Sequence, residues 1–414
     1  MVDWPATRLG CHLRVKHGFA FQGEHFSDRG DYIVLTPGNF VEAGGFKDKS
    51  GVEKYYTATP PADYVLQRGD LIVAMTEQSQ GLLGSSAMIP VDNVYLHNQR
   101  IGLVELTSDD VDLGFLYHLF NTPPVRDQIQ ATATGSKVRH TAPKRIEDVV
   151  VPLPPLSTQR KIAAILWVYD DLIENNNRRI KILEEMAQRA FREWFVDFRY
   201  PGHEDLPLVD SELGLVPDGW DVRGFEDLGA YVNGFAFKPA DWGSEGPPII
   251  KIRELKNGLT NETPRYKGEL PAKYVIRDGD LLFSWSADLD VYLWTGGTAW
   301  LNQHLFRVDP LADIPTAFLF HALKERMGEF RSLSQGTTMR HIKRAALGQV
   351  MSVVPPPSLR QQFAEFAAPI DGLALALVRA TRNARGARDL LLPRLVSGEI
   401  DVSNLNMAMP ELAA

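Results

Sequence analysis

The sequence lacks several features that would place it in familiar protein classes. It contains one cysteine, Cys11, so no intramolecular disulfide can form, which indicates a reducing compartment. No apolar run approaches the roughly 18 residues that a membrane-spanning helix needs. The N-terminus shows no basic stretch followed by an apolar one, as a secretory signal would. We therefore expect a soluble, cytoplasmic protein without a membrane partner.

An excess of positive charge is also missing. The 44 lysines and arginines are outnumbered by 52 aspartates and glutamates, which gives a formal net charge of −8. A protein coated with basic residues is excluded, and any nucleic-acid site must be a local patch. Hydrophobic residues make up 44% of the chain and charged residues 23%, as in folded globular proteins. A chain of 414 residues predicts two to three domains.

Signatures of catalysis are scarce as well. The sequence contains no GxxxxGK[ST] phosphate loop and no glycine fingerprint between a strand and a helix, so neither nucleotide hydrolysis nor methyl-donor binding is indicated. The ten histidines and one cysteine show no metal-ligand spacing. Asn121-Thr-Pro-Pro is similar to a methyltransferase tetrapeptide, but Val125 offers no aromatic ring for a flipped base. We predict a chain without catalytic residues, metal or cofactor.

The sequence does contain an internal repeat. GFAF at 18–21 recurs at 234–237, an offset of 216, and GSKVRH at 135–140 is matched by GTTMRH at 336–341, an offset of 201. Between these markers GDL occurs twice, and Asn98-Gln99-Arg100 is echoed by Asn302-Gln303-His304. Ordered markers with a slowly shrinking offset indicate a tandem duplication whose copies differ in loop length.

Each copy ends in a segment with a helical pattern. Apolar residues recur at spacings of three and four from Gln159 to Phe198, which is typical of a helix packed lengthwise on another helix. The second copy repeats the pattern, but Pro369 and Gly372 predict a kink or break there. We expect the two helices to pack antiparallel as a coiled-coil-like spacer, although a helix buried against its own domain is the ordinary alternative for one such stripe. The residues assigned to this packing are Ile162, Leu166, Tyr169, Ile173, Asn176, Ile180, Leu183, Trp194, Phe363, Ile370, Leu377 and Leu391.

The remaining segments predict an α+β fold. Short β-branched or aromatic runs bounded by turn residues predict strands, and a helix is expected near 111–120 and again near 315–330. A mixed, mostly antiparallel module therefore precedes each long helix. The predicted boundaries are 1–155 for the first module, 156–200 for the first helical region, 201–357 for the second module, and 358–414 for the second helical region with the C-terminal tail.

Two stretches of the acidic chain contain no acidic residue. One lies between Asp127 and Glu147 and the other between Glu329 and Glu365, and each carries basic residues beside glycine and hydroxyl side chains, which suit phosphate oxygens. The loops after the repeated GDL strands carry side chains able to read bases, yet they differ between the copies, as an asymmetric two-part target would require. Solvated turns and drifting surface loops remain the alternatives. The candidate DNA-binding residues are Lys16, Gln78, Ser79, Gln80, Gln99, Arg100, Ser136, Lys137, Arg139, His140, Lys238, Ser284, Trp285, Ser286, Gln303, His304, Thr337, Thr338, Arg340, His341 and Lys343.

These motifs together resemble the specificity subunits of Type I restriction-modification systems. The resemblance rests on LGLVPDGWDV at 213–222, VPLPPLSTQRKIA at 151–163, FREWFVDF at 191–198 and LLPRLVSGEID at 391–401, together with the repeated GDL and GSKVRH motifs. It covers nearly the whole chain. The less regular second helical region departs from the pattern and puts an even pair of helices in doubt.

The resemblance implies a non-catalytic subunit that binds a bipartite, asymmetric sequence in double-stranded DNA, one half per target-recognition domain. It also implies two methyltransferase subunits as partners and an optional pair of restriction translocase-nuclease subunits. S-adenosylmethionine, ATP and magnesium would then belong to those partners. Two alternatives stay open at this point: a fragment of a self-contained restriction-methylation enzyme, and a scaffold that does not bind DNA.

Overall fold

The computed structural model describes residues 4–49, 51–78, 81–202, 207–260, 262–334 and 341–407. The chain divides into two units. Unit 1 comprises Met1–Asp171 and Arg385–Ala414, and unit 2 comprises Leu172–Ala384. Each unit therefore holds one copy of the repeat together with a segment of each long helix.

Unit 1 is a mixed α/β structure with mostly antiparallel strand pairs. Its larger sheets have the strand orders β2-β10-β6-β8 and β3-β5-β4-β9, and β4 with β9 is a parallel pair. Its strands are β1 Ala6–Arg8, β2 Leu13–His17, β3 Phe26–Ser27, β4 Tyr32–Val34, β5 Tyr55–Tyr56, β6 Leu71–Ala74, β7 Thr76–Glu77, β8 Ser86–Met88, β9 Tyr95–Leu96, β10 Ile101–Leu106, β11 Arg139–His140 and β12 Val150–Pro152. Its short helices are α1 Leu113–Phe120, α2 Pro123–Ala131 and α3 Pro143–Glu147.

Unit 2 repeats this plan after the long helix α4, Leu156–Phe195. Its strand order β16-β22-β19-β20 matches the first sheet of unit 1, and a second sheet has the order β17-β21-β18. The strands are β13 Leu208–Ser211, β14 Gly214–Pro217, β15 Asp221–Gly224, β16 Gly229–Asn233, β17 Gly243–Ile250, β18 Val275–Ile276, β19 Leu281–Ser284, β20 Asp290–Leu293, β21 Ala299–Leu301, β22 Leu305–Pro310 and β23 Met351–Val354. The helices are α5 Ile252–Asn257, α6 Thr316–Ser332, α7 Ala346–Gln349 and the long helix α8, Pro357–Val396. The predicted α+β fold and its repeat are confirmed.

The long helices contribute buried side chains to the hydrophobic core of each unit. In unit 1, Ile162 and Leu166 of α4 lie in one buried cluster with Phe115 of α1 and Leu395 of α8. In unit 2, Phe195 of α4 packs against Phe363 of α8, with ring centroids 5.2 Å apart. Burial of this apolar stripe, rather than helix propensity, stabilises such helices.

The two long helices run antiparallel within each unit. In unit 1, Asp170 of α4 contacts Arg388 of α8. Ile162, which precedes Asp170 in α4, lies in one cluster with Leu395, which follows Arg388 in α8. In unit 2, Phe195 near the end of α4 meets Phe363 near the start of α8. The predicted antiparallel pairing is confirmed.

The predicted break in the second long helix is wrong. α8 is one continuous helix of 40 residues, as long as α4, so the expected unevenness of the pair is wrong as well. Pro369 and Gly372 are both on its exposed side. The proline removes one backbone hydrogen bond there, while Phe363 and Ala367 on the opposite side are fully buried. Core packing thus outweighs the local propensity. Among the described helices, none combines the length and apolar character that crossing a membrane requires.

Candidate nucleic-acid interface

The basic stretch of unit 1 pairs with the loop that follows β6. β11 pairs antiparallel with β7, which places Arg139 opposite Glu77 and His140 opposite Thr76. The Nδ1 atom of His140 lies 3.1 Å from the Thr76 hydroxyl oxygen. Two regions that the sequence analysis selected separately, one for phosphate contact and one for base reading, are therefore joined by backbone hydrogen bonds.

Unit 2 contains the same junction. Ser286, after β19, forms an antiparallel bridge with His341, and the Ile342 N–H donates to the Trp285 carbonyl oxygen over 3.1 Å. The segment at His341 and Ile342, at the end of the GTTMRH motif, thus pairs with the loop after β19, the strand that begins at the leucine of the second GDL. The frame is the same in both units, whereas the loop sequences differ.

The loop after β7 is held by two buried charged residues that the sequence analysis missed. The Glu77 carboxylate, 2% exposed, accepts hydrogen bonds from the N–H groups of Gly81 and Leu83 over 3.0 and 2.9 Å. The buried Arg126 guanidinium of α2 donates to the carbonyl oxygens of Glu42, Gly81 and Leu83. Because these partners are backbone groups, no sequence pattern could have identified the two residues.

Arg139 is partly committed to this frame. Its guanidinium lies 3.4 Å from the Glu77 carboxylate and donates to the Gln130 carbonyl oxygen over 2.7 Å. Ser136 and Lys137, in the turn before it, are exposed. The serine and lysine side chains are therefore more accessible to a ligand than the arginine side chain.

Gln99 and Gln303, which are candidates at matching positions of the two copies, form backbone hydrogen bonds with the GFAF motifs. The Gln99 N–H donates to the Phe19 carbonyl oxygen, and the Gln303 N–H donates to the Phe235 carbonyl oxygen, both over 3.0 Å. A Cβ atom on Gly18 would lie 2.1 Å from the Asn98 carbonyl oxygen. At Gly234 the corresponding distance to the Asn302 oxygen is 2.2 Å. The GFAF motif recurs because its glycine permits this close backbone approach.

The other candidates differ in exposure. Gln78, Gln99, Arg100, Lys238 and Lys343 are exposed. Lys16 is half-buried and donates to the Asp63 carbonyl oxygen over 2.7 Å. Ser284 and Ser286 are buried, and Trp285, Gln303 and His304 are half-buried. Ser79, Gln80, Thr337, Thr338 and Arg340 lie outside the described residues.

The residues assigned to the long helices divide by burial. The buried ones are Ile162, Leu166, Ile173, Asn176 and Phe363. The half-buried ones are Tyr169, Ile180, Leu183, Trp194, Ile370, Leu377 and Leu391. Asn176 is thus a buried polar residue within the apolar stripe, where such a side chain favours one pairing of the helices.

Burial lowers the pKa of two histidines in unit 1. Burial lowers the pKa of His97 to about 4, and its Nε2 atom donates to the Ile101 carbonyl oxygen. Burial, aided by the positive charge of Arg388, lowers the pKa of His118 to about 3. Across the described ranges, no group of three or more histidine, cysteine, aspartate or glutamate side chains could hold a metal ion.

Known proteins are similar to this chain in sequence and in fold. The family model described as the Type I restriction modification DNA specificity domain matches residues 1–185 and again 217–384. The MjaIX specificity subunit of Methanocaldococcus jannaschii is 25% identical over 72% of either chain. The HindI specificity subunit of Haemophilus influenzae is 22% identical over 97% of this chain and 100% of that one. The solved S subunit of a Type I restriction-modification system from M. genitalium has a TM-score of 0.59 at 14% identity, covering 95% of this chain and 96% of that one, which shows a shared fold.

Proposed function

Because the chain belongs to the family of Type I restriction-modification specificity subunits, we propose that it recognises a bipartite, asymmetric sequence in double-stranded DNA. One target-recognition domain at 1–155 reads one half-site, and the other at 201–357 reads the second. The helical regions at 156–200 and 358–414 hold the two domains at a fixed separation. The chemistry is carried out by partner subunits.

The observation that carries this proposal is the repeated junction with unrelated loops. In each unit the segment after the GDL strand is bridged to the basic stretch, through Thr76 and His140 in unit 1 and through Ser286 and His341 in unit 2. A common frame that presents two different sets of side chains suits two different half-sites. Cationic side chains would fix the domain on the phosphates, and polar side chains would read base edges.

The exposure of each candidate side chain supports a role for it in phosphate contact, base reading or positioning. We assign phosphate contact to the exposed Ser136, Lys137 and Lys343. Gln78, Gln99 and Arg100 carry donor and acceptor groups on exposed loops and are the candidates for reading bases in unit 1. The buried Ser284 and Ser286 would position Trp285, which lies between them. Thr337, Thr338 and Arg340 keep the phosphate-binding role assigned from the sequence.

The long helices are the docking surface that we propose for the partner subunits. Several large apolar side chains on them are exposed despite lying on helices with a buried face, including Ile182, Met186 and Leu373 at 49–52% exposure and Leu390 at 72%. Contiguous exposed apolar patches mark protein interaction sites, and Ile182 and Met186 lie four positions apart, on the same face of α4. We propose two methyltransferase subunits as occupants, which would carry S-adenosylmethionine. An optional pair of restriction subunits would use ATP and magnesium.

The test is to map methylated adenines in the host genome with and without this gene. We expect one asymmetric bipartite motif to lose its methylation when the gene is removed and to regain it on complementation. A matched strain carrying an inactive methyltransferase gene should lose the same motif. An unchanged methylation map, or labelled methyl transfer to DNA by the purified chain alone, would contradict the proposal.

A further inference from the structure

A cluster of polar side chains in unit 1 joins three helices. Arg388 of α8 donates to the Asp170 carboxylate of α4 over 2.5 Å, and the Nδ1 atom of His118 in α1 lies 3.8 Å from the same carboxylate. His118 is 3% exposed, and the side chains of Asp170 and Arg388 are 15% and 14% exposed. Trp167 of α4 closes one side, with its ring stacked on that of Tyr117 at 4.9 Å. We call this cluster joint 1.

Unit 2 contains a counterpart, joint 2. The Nε2 atom of His321 in α6 lies 3.1 Å from the Asp371 carboxylate of α8, and its Nδ1 atom lies 3.1 Å from the Gln188 side-chain oxygen of α4. The Gln188 amide nitrogen in turn donates to the Glu325 carboxylate over 2.7 Å, which fixes the orientation of the amide. His321 and Asp371 are buried. Here too a domain helix meets both long helices.

The two joints descend from the duplication. His118 ends the sequence FLYH and His321 ends FLFH, an offset of 203, and Asp170 and Asp371 are offset by 201, within the run of offsets along the chain. In each joint the aspartate comes from the long helix of its own copy and the third residue from the other long helix. The third residue differs in chemistry and in partner, because Arg388 donates to the Asp170 carboxylate whereas Gln188 contacts the Nδ1 atom of His321. The repeat of FLYH as FLFH is therefore a further sequence marker of the duplication.

Such joints select one register of the long helices. An apolar stripe that repeats every seven residues permits several alignments of two helices, and a buried polar residue selects among them. A buried ion pair adds little net stability compared with apolar side chains, so register is its best-attested benefit. A slide by one helical turn moves a residue by about 5.4 Å, which exceeds the rise of about 3.4 Å between base pairs.

We propose that joints 1 and 2 are the positioning elements that fix each recognition domain on the long helices and so set the half-site spacing that the protein accepts. The inference rests on the proposed function, since it assumes that the two domains read two half-sites. His118, Asp170 and Arg388 position the first domain, and His321, Asp371 and Gln188 position the second. These side chains are buried or half-buried, and their positioning role requires no contact with DNA.

The experiment measures methylation by the assembled modification complex on DNA that carries both half-sites at the native spacing or with one base pair added or removed. For joint 1 the variant is the double substitution Asp170→Asn with Arg388→Gln, which removes the ion pair without leaving a buried charge unpaired. For joint 2 it is Asp371→Asn. We expect the preference for native spacing to fall by about ten-fold or more while the preferred half-site sequences stay unchanged.

The matched control is Arg394→Gln, which removes an exposed arginine of α8 whose ion pair with Glu399 lies in the same unit. It should keep the wild-type spacing preference. Loss of stability alone would lower methylation equally at every spacing. The ratio of methylation at the native spacing to methylation at the altered spacings therefore reports on the position of the domains. A ratio in both variants within two-fold of wild type overturns the inference. A wild-type complex without any bipartite preference overturns the proposed function and the inference with it.

Discussion

At the scale of single residues, the buried Glu77 carboxylate holds the loop that follows β7. It accepts two backbone N–H groups, from Gly81 and Leu83, and faces the Arg139 guanidinium. Replacing Glu77 with glutamine would turn an amide N–H group toward either the backbone donors or the arginine. We expect amide hydrogen exchange at Gly81 and Leu83 to accelerate by about ten-fold or more, equivalent to about 1.4 kcal/mol.

The control for this substitution is Glu105→Gln, on an exposed position of β10 in the same unit. It should leave the two exchange rates unchanged. If Glu77→Gln also leaves them unchanged, the carboxylate does not hold the loop.

The buried His118 makes unit 1 sensitive to acid. Its pKa is about 3 in the folded state and about 6.5 in the unfolded state. Between these two pH values the unfolded chain binds a proton at His118 and the folded chain does not. The contribution of neutral His118 to stability is therefore complete above about pH 6.5 and is lost as the pH falls toward 3. Between pH 7 and pH 5 the loss amounts to about 2 kcal/mol.

Denaturant unfolding of wild type and His118→Gln at both pH values measures this contribution. The variant should be less stable at pH 7 because joint 1 is altered, yet it should lose about 2 kcal/mol less than wild type on acidification. Parallel losses in the two proteins would show that His118 is not the group responsible.

At the scale of elements, two glycines differ in their tolerance to an added side chain. Gly372 lies in α8 with open space around its Cβ position, whereas a Cβ on Gly18 would meet the Asn98 carbonyl oxygen. Gly372→Ala should raise the free energy of unfolding by about 1 kcal/mol, since alanine is the better helix former. Gly18→Ala should lower it by about 1–3 kcal/mol through overpacking.

Thermal or denaturant unfolding of the two variants checks the signs. Gly386→Ala, at an equally open position of α8, is the matched control for Gly372→Ala and should also stabilise. A stabilising Gly18→Ala would mean that the bridge between Phe19 and Asn98 does not constrain the backbone.

The elements also show what the sequence could predict. Heptad spacing identified both long helices, and the repeated GDL motif identified the strand that begins at its leucine in each copy, because these signals are local. The continuity of α8 through Pro369 was not predictable, since buried residues such as Phe363 decide it. The contact between Asp170 and Arg388 joins residues 218 positions apart, which no local pattern encodes.

At the scale of the whole molecule, an acidic chain must bind a polyanion through few residues. The formal charge of −8 opposes approach to DNA, so under the proposed function we expect the cations of the two stretches without acidic residues to supply a large share of the attraction. Lys137 and Arg139 lie two residues apart, yet the structure gives them different surroundings. Lys137 is exposed, whereas Arg139 faces Glu77 and donates to the Gln130 carbonyl oxygen.

This difference predicts distinct salt dependences for two alanine variants of the assembled complex. Each neutralised phosphate contributes about 0.9 to the slope of log K against log salt concentration. Lys137→Ala should therefore weaken binding to every DNA sequence and reduce that slope by about 1. Arg139→Ala should change the slope less and disturb discrimination between sequences more, because the guanidinium supports the loop that carries Gln78.

Fluorescence anisotropy over a range of salt concentrations measures both the slope and the discrimination between sequences. The charge-matched control is Arg223→Ala, which removes an arginine paired with Asp221. Equal slopes for Lys137→Ala and wild type would remove Lys137 from the phosphate contacts, and a larger slope change in Arg139→Ala would reverse the two roles.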